Sequence, residues 1–462
     1  MSRDVPQSKP RAVLVGVQLP GVSDEEHASS LAELGRLAKT LGLVVVGRVS
    51  QKRSGLGAAA VIGEGKLRVL ARFTGGTGIV PSGVPAHRRR NDDPGSGLDA
   101  HAPAELDEVA AAEEPVEVAE TASVVLVDHE ISPSQARNLE RATGAEVLDR
   151  TAVILAIFQR HARSREAVLQ VEIARLAYLA PRLRESGGGK DRQGGGIGGK
   201  GAGESQLEID RRKVRDRIAE LRRELAAIEK DAATRRRRRA AQPTVAIVGY
   251  TNAGKSSLMR SLTGSELLVA DRLFATLDTT VRALQPETKP RILVSDTVVF
   301  IKKLPHDLVA SFRSTLEEAR EASLLLHVVD ASDPAFPAQI EVTAEVLRDI
   351  DAADQPRLLV LNKIDKVTEE RRLALAQAYP QAVVMSAKAP TDVAQLRERI
   401  VEFFEHDMVE EEILVPYAQQ RLVSAIHASC RVLAEACDET GTRLRVRGLP
   451  DVMARLRAGK YA

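Results

Sequence analysis

Eight residues limit what this chain can fold into more than any others: GYTNAGKS, Gly249–Ser256. They follow the apolar run TVAIV and precede SLMRSL, so they read as a tight loop between a buried strand and a helix. Glycines in such a loop let the backbone wrap without side-chain clash, so that successive N–H groups converge on one phosphate-sized centre. Gly249, Tyr250, Thr251, Asn252, Ala253 and Gly254 are expected to line that cradle, with Ser257 just beyond it. Lys255 is expected to neutralise the β- and γ-oxygens and the Ser256 hydroxyl to ligate Mg²⁺. A strand–loop–helix of this kind needs a parallel sheet around it. The later runs RILVSD (Arg291–Asp296), LLLHVVD (Leu324–Asp330), RLLVLNK (Arg357–Lys363) and AVVMSAK (Ala382–Lys388) have strand length and apolar character to supply one.

The base follows from NKID, Asn362, Lys363, Ile364 and Asp365, at the end of a predicted strand. An Asp carboxylate accepts two hydrogen bonds from the N1 and N2 donors of guanine, and adenine cannot supply them. Asn362 should organise the loop and approach N7, with the Lys363 stem lying over the base. In SAK (Ser386, Ala387, Lys388) the Ala387 N–H can reach O6. Asp296 ends its strand as a residue that holds Mg²⁺ through water, whereas Asp330 lies too far along and is read as structural. Within FATLDTTVR (Phe274–Arg282) a threonine should close over Mg²⁺ and the γ-phosphate, and spacing leaves Thr276, Thr279 and Thr280 open. No H-E-x-x-H, G-x-S-x-G or G-x-G-x-x-G pattern supports a metalloprotease, a serine hydrolase or a dinucleotide site.

The remaining residues divide the 462-residue chain as 1–182, 183–240, 241–407 and 408–462. In the first part AVLVGV (Ala12–Val17) and LVVVGRV (Leu43–Val49) read as strands. Leu31, Leu34, Leu37, Ala38 and Leu41 keep a helical period between them, which predicts a small parallel sheet. Residues 74–121 interrupt it: from Asn91 to Thr121 there are ten Asp or Glu and no Lys or Arg, a solvated acidic insertion. Strand, helix and strand resume over Ala122–Arg150, with Ser132 or Ser134 near the helix N-cap, and a long helix is expected from near Thr151. Leu169, Ile173, Leu176, Ala180 and Leu183 form one stripe, and Val214, Ile218, Leu221, Leu225, Ile228 and Ala232 another. Gly187–Gly203, with ten glycines in seventeen residues, separates them and cannot be helix. The expected form is a long antiparallel helical hairpin with a glycine tip.

Net charge over the chain is only +2, which names no partner, yet Arg182–Ala240 carries 18 basic against 10 acidic residues and ends in five arginines. Basic arms with a glycine tip suit close approach to a polyanion. Lys190, Arg192, Lys200, Arg211 and Arg212 are the candidate nucleic-acid contacts. With 8 Phe, 5 Tyr and no Trp, stacking platforms for single strands are not expected. Cys430 and Cys437 are too few for a disulfide framework; they read as buried thiols on a helix running through Ala436, inside a small α+β C-terminal unit. The polar start and the lack of a long apolar run predict a soluble cytoplasmic monomer with no membrane insertion.

Beyond these general motifs the chain resembles the HflX family of translational GTPases. The likeness rests on GAGESQLEIDRR (Gly201–Arg212), SPSQARNLE…VLDRT (Ser132–Thr151), LQVEIARLAYLAPRL (Leu169–Leu183), FATLD, and LPHDLVASFRSTLEEA (Leu304–Ala319). The resemblance implies a GTP-hydrolysing, Mg²⁺-dependent factor that binds GTP and GDP and the large ribosomal subunit with its RNA. The hairpin would reach toward the peptidyl-transferase region, and family members split stalled or idle ribosomes. It selects Thr276 as the switch threonine and makes Lys255, Thr276 and Asp296 the catalytic set. Phe274, Ala275, Leu277 and Asp278 on one side, and Thr297, Val298 and Val299 on the other, become nucleotide contacts. One position departs from the family's D-T-V-G-F: DTVVF, Asp296–Phe300, has Val299 for the glycine. A β-branched residue stiffens that turn, and Phe300 offers no polar group to orient water. Hydrolysis is therefore expected to be slow without a partner, on the order of 10⁻⁴ s⁻¹ or below, and the alternative readings are a nucleotide-gated ribosome-binding factor with hydrolysis impaired by Val299, or a ribosome-assembly GTPase.

Overall fold

The computed structural model describes residues 9–80, 121–183, 206–239, 242–264, 274, 280–296, 300–301, 313–406 and 408–458. Two units make up the chain, Met1–Val153 and Ile154–Ala462.

The first unit is a four-stranded parallel sheet. Its strands are β1 (Arg11–Gln18), β2 (Val44–Lys52), β3 (Val124–Val127) and β4 (Glu146–Asp149), in the order β2-β1-β3-β4. Helices α1 (Asp24–Thr40), α2 (Glu64–Thr74) and α3 (Pro133–Thr143) connect them. The α1 stripe is buried as its period predicts, and Ser23 and Glu26 close a capping box at its start. Of the two serines before α3, Ser132 is the cap: its hydroxyl accepts from the Gln135 N–H, with Pro133 at the first helical turn. Behind the strand ends, Arg150 is buried with two carboxylates, donating to Asp128 Oδ1 at 2.7 Å and pairing with Glu33, while the Ser30 hydroxyl donates to Asp128 Oδ2 at 2.6 Å. Charges this deep persist as a hydrogen-bonded set, since either partner alone would be desolvated without compensation.

The single helix expected from near Thr151 is two helices, α4 (Arg150–His161) and α5 (Arg165–Leu179). The break is chemical: the Ser164 hydroxyl accepts from the Ala167 N–H and starts a new helix. α6 (Gln206–Arg239) packs on α5 through Leu169, Ile173 and Leu221, flanked by Leu176, Ile218, Leu225 and Ile228. These are the stripe residues, although Ala180 caps α5 and Leu183 lies past its end. The tip Gly187–Gly203 and the acidic stretch of the insertion lie outside the described residues.

The next sheet holds β5 (Thr244–Gly249), β6 (Val281–Ala283), β7 (Leu293–Asp296), β8 (Leu324–Asp330), β9 (Arg357–Asn362) and β10 (Val383–Val384). Its order is β10-β9-β8-β5-β7-β6, parallel except for β6. Both faces are covered. Val245, Ile247, Leu326 and Val328 meet α7 (Lys255–Thr263) and α11 (Pro390–His406), whereas Ala246, Val248 and Leu325 meet α8 (Arg313–Arg320) and α9 (Phe336–Asp349). α10 (Glu369–Ala378) joins β9 to β10. Near-continuous apolar strands are what such two-sided burial requires.

The last part corrects one expectation. After β11 (Val409–Pro416), the helix α12 (Gln420–Ser429) stops short of Ala436, and Arg431–Cys437 is a strand, β12. It pairs with β13 (Gly441–Gly448) in the antiparallel order β11-β13-β12, ahead of α13 (Pro450–Arg457). RVLAEAC has helical propensity, but pairing with β13 overrides it. Cys430 is buried, its Sγ 3.9 Å from Met453 Sδ, whereas Cys437 is exposed on the strand.

Candidate active site

The site forms where β5 turns into α7, at the carboxyl edge of the sheet. Gly249 has φ 145°, and a Cβ there would lie 2.1 Å from Val328 O; Gly254 has φ 96°, and a Cβ there would lie 2.2 Å from Asn362 Nδ2. Both positions therefore exclude every side chain. Asn252 adds a third positive φ, 60°, and the Thr251 N–H donates to Phe300 O at 2.8 Å, tying the loop to the segment after β7. Phe300 is buried in the core, so its ring cannot serve as a polar group toward water.

Lys255 opens α7 and is buried. Its Nζ donates to Gly249 O and Tyr250 O, each at 2.9 Å. Burial pushes its pKa down to about 8, against the opposing pull of Asp296 and with a smaller repulsion from Lys363. Such a lysine is short of negative charge. One residue on, Ser256 Oγ donates to Asp296 Oδ2 at 3.3 Å, and Asp296 is level with Ile247 across the β5–β7 pair. A buried carboxylate beside a hydroxyl is an all-oxygen donor set that suits Mg²⁺, which keeps several waters and takes few protein ligands.

The NKID and SAK segments converge on the same edge. Asn362 Nδ2 donates to Ala253 O at 2.8 Å, and Asn362 Oδ1 accepts from the Ala387 N–H at 2.9 Å, so one side chain ties the phosphate loop to both base-side loops. The Ala387 N–H, expected at O6, is thus directed at Asn362 here. Asp365 Oδ1 accepts from Ser386 Oγ at 2.7 Å, and Lys388 lies 3.6 Å from Oδ2. The Ser386 hydroxyl, ahead of Lys388, holds the Asp365 carboxyl below its ordinary range, so the acceptor is ionised at neutral pH. Lys363 takes φ 63°, with Nζ on Asp330 Oδ2 at 2.8 Å; Ile364 is buried behind it.

Phe274, expected at the nucleotide, is 1% exposed with φ 59°, and its ring meets Phe158 of α4 edge-on at 4.7 Å. Sequence reasoning missed that contact and the Asp330–Lys363 pair. Both join residues far apart in the chain, although the DASD string after β8 does signal a carboxylate fixed by its own turn. Ala275, Thr276, Leu277, Asp278, Thr297, Val298 and Val299 lie outside the described residues, as do Lys190, Arg192 and Lys200. Arg211 and Arg212 sit on α6, half-exposed and exposed.

A parallel sheet with a phosphate loop on β5 and an Asn-Lys-x-Asp loop two strands away defines a P-loop GTPase. Similarity to known proteins narrows the class. Family models described as "GTP-binding GTPase N-terminal", "GTP-binding GTPase Middle Region" and "50S ribosome-binding GTPase" match residues 28–80 with 88–159, 161–239 and 244–363. The GTPase HflX of Gluconacetobacter diazotrophicus is 59% identical over 97% of this chain and 97% of its own, and that of Escherichia coli 43% over 71% and 79%. Among solved structures, that of the SsGBP and GDP complex is 24% identical, covering 86% of this chain and 98% of that one with a TM-score of 0.44. The chain belongs to the HflX family of GTPases. Among the described residues no helix is long and apolar enough to cross a membrane.

Proposed function

We propose that this chain binds the large ribosomal subunit in a GTP-dependent manner, hydrolyses GTP there, and so separates stalled or idle ribosomes. The observation that carries the reading is the coupling of two parts in one chain: a GTPase core and a helical pair whose second arm is basic and ends in Arg235–Arg239. A matched family description that names the 50S ribosome supports the same partner. The working divisions are 1–182, 183–240, 241–407 and 408–462, with the third as the catalytic part.

In this account Lys255 meets the β- and γ-phosphates, Asp365 reads guanine, and Asn362 holds the two loops in register. Ser256 and Thr276 would hold Mg²⁺, with Asp296 acting through water, and the ion would take up charge on the β- and γ-oxygens. Val299 favours a low intrinsic rate, because a β-branched residue resists the turn that a glycine makes there.

RNA binding by the hairpin should be mainly electrostatic. Deleting Gly187–Gly203, or changing Arg235–Arg239 to Gln, is expected to weaken co-sedimentation with large subunits and flatten its salt dependence. Each lost phosphate contact should lower the slope of log affinity against log salt by about 0.7–0.9. Nucleotide affinity should stay as in the parent chain. Superimposable salt curves for variant and parent would remove the hairpin from the function.

A further inference from the structure

Lys363 sits in a left-handed conformation at φ 63°, rarely adopted by a residue with a side chain, and something must hold it there. Backbone bonds tie the loop, with the Lys366 N–H donating to Lys363 O at 2.9 Å, and the side chain ends on Asp330. The Lys363 Nζ–Asp330 Oδ2 distance is 2.8 Å, and the two side chains are only 16% and 17% exposed. The other carboxylate oxygen, Oδ1, accepts from the Ser332 N–H at 3.0 Å and the Ser332 hydroxyl at 2.5 Å, so the acid cannot swivel. Asp330 also lies directly opposite Asn362 in the β8–β9 register. The far end of the Lys363 stem is beside the phosphate loop: Cε is 4.0 Å from where a Cβ on Gly254 would be. Lys255 and Lys363 repel each other across this gap.

We propose that Asp330 is a positioning residue for the guanine nucleotide, holding the Lys363 stem as a fixed wall between the base-reading loop and the phosphate loop. This rests on the reading of Asn362–Asp365 as the guanine site. The wall lies on the side of the ligand that GTP and GDP share, so Asp330 sets affinity for both and leaves their ratio alone. It touches no reacting atom, and its loss appears in KM far more than in kcat. Asp330→Asn keeps the shape and one acceptor for Ser332 but removes the charge that holds the ammonium.

The test is titration of the full-length chain with fluorescent GDP and a non-hydrolysable GTP analogue, alongside steady-state hydrolysis. Asp330→Asn is expected to weaken both ligands by the same factor, about ten- to a hundredfold, as for a charge-assisted hydrogen bond. KM should rise by a similar factor while kcat falls less than twofold. Lys363→Met, which keeps the stem and loses the ammonium, should weaken both ligands comparably, and the double variant should be no worse than the poorer single one. Should Asp330→Asn fail to fold, Lys363→Met carries the same comparison. Affinities within twofold of the parent with a lowered melting temperature would make the pair a stabilising contact only, and a loss confined to the GTP analogue, or additive effects, would equally overturn the proposal. Asp365→Asn in the same assay separates the two layers. Lost preference for guanine there with normal Asp330→Asn affinities overturns the positioning role alone; retained preference overturns the base reading, and this inference with it.

Discussion

Asp365→Asn is expected to invert base preference, with GTP affinity falling about 10²–10⁴-fold as two charge-assisted hydrogen bonds are lost. Xanthosine triphosphate should gain in return. The parent carboxylate is an acceptor on both oxygens, and the Ser386 hydroxyl fixes its orientation from Oδ1. An amide at this position keeps one acceptor and turns a donor toward the N1 and N2 donors of guanine, whereas xanthine has an acceptor where guanine has its amino group. Because the Ser386 bond, above all, holds the Asp365 pKa down, the parent should keep its guanine preference as pH falls through the ordinary carboxylate range. Competition titrations with the two triphosphates check this. An unchanged margin for GTP would mean that another group reads the base.

Lys255→Ala carries the second large effect. Its ammonium is buried, and its two partners are carbonyl oxygens of Gly249 and Tyr250, neutral groups that do not balance a charge. Phosphate oxygens do balance it. Truncation should therefore cost at least about 100-fold in triphosphate affinity or turnover, the scale of a desolvated charge contact, without unfolding the chain. The depressed pKa adds a pH signature with a definite sign. Below about 8 the free protein already carries the charge that the ligand needs. Above it a proton must be taken up on binding, so parent affinity should decline as pH rises past about 8, and the decline should vanish in Lys255→Ala. Calorimetry across pH 7 to 9 reads both effects, and GTP binding by Lys255→Ala equal to the parent's would remove the lysine from the phosphate site.

What the sequence made legible is what local chemistry writes into short windows. The phosphate loop stands out because φ values of 145° and 96° demand glycine at fixed positions, and the strands around it because two-sided burial leaves continuous apolar runs. The N-terminal sheet and the Ser132 cap follow from period and capping alone. What failed was decided over longer distances. β12 reads as helix until β13 supplies its hydrogen bonds, and the break at Ser164 lies in a polar stretch, Gln159–Glu166, that helix propensity alone does not interrupt. The link from Asn362 to Ala253 spans 109 residues and that from Lys363 to Asp330 spans 33, so neither has a local signature beyond the motif itself. The motif string places Phe274 with the nucleotide, but the ring packs on Phe158, more than a hundred residues earlier.

Multiple-turnover phosphate release with and without large ribosomal subunits tests most directly whether the GTPase core answers to the ribosome. The chain alone should turn over slowly, on the order of 10⁻⁴ s⁻¹, as expected where the buried Phe300 offers no polar group to orient water. Saturating large subunits should raise the rate at least about tenfold, lowering the barrier by about 1.4 kcal/mol or more. An equal rate in both conditions, with GTP binding intact, would contradict the account.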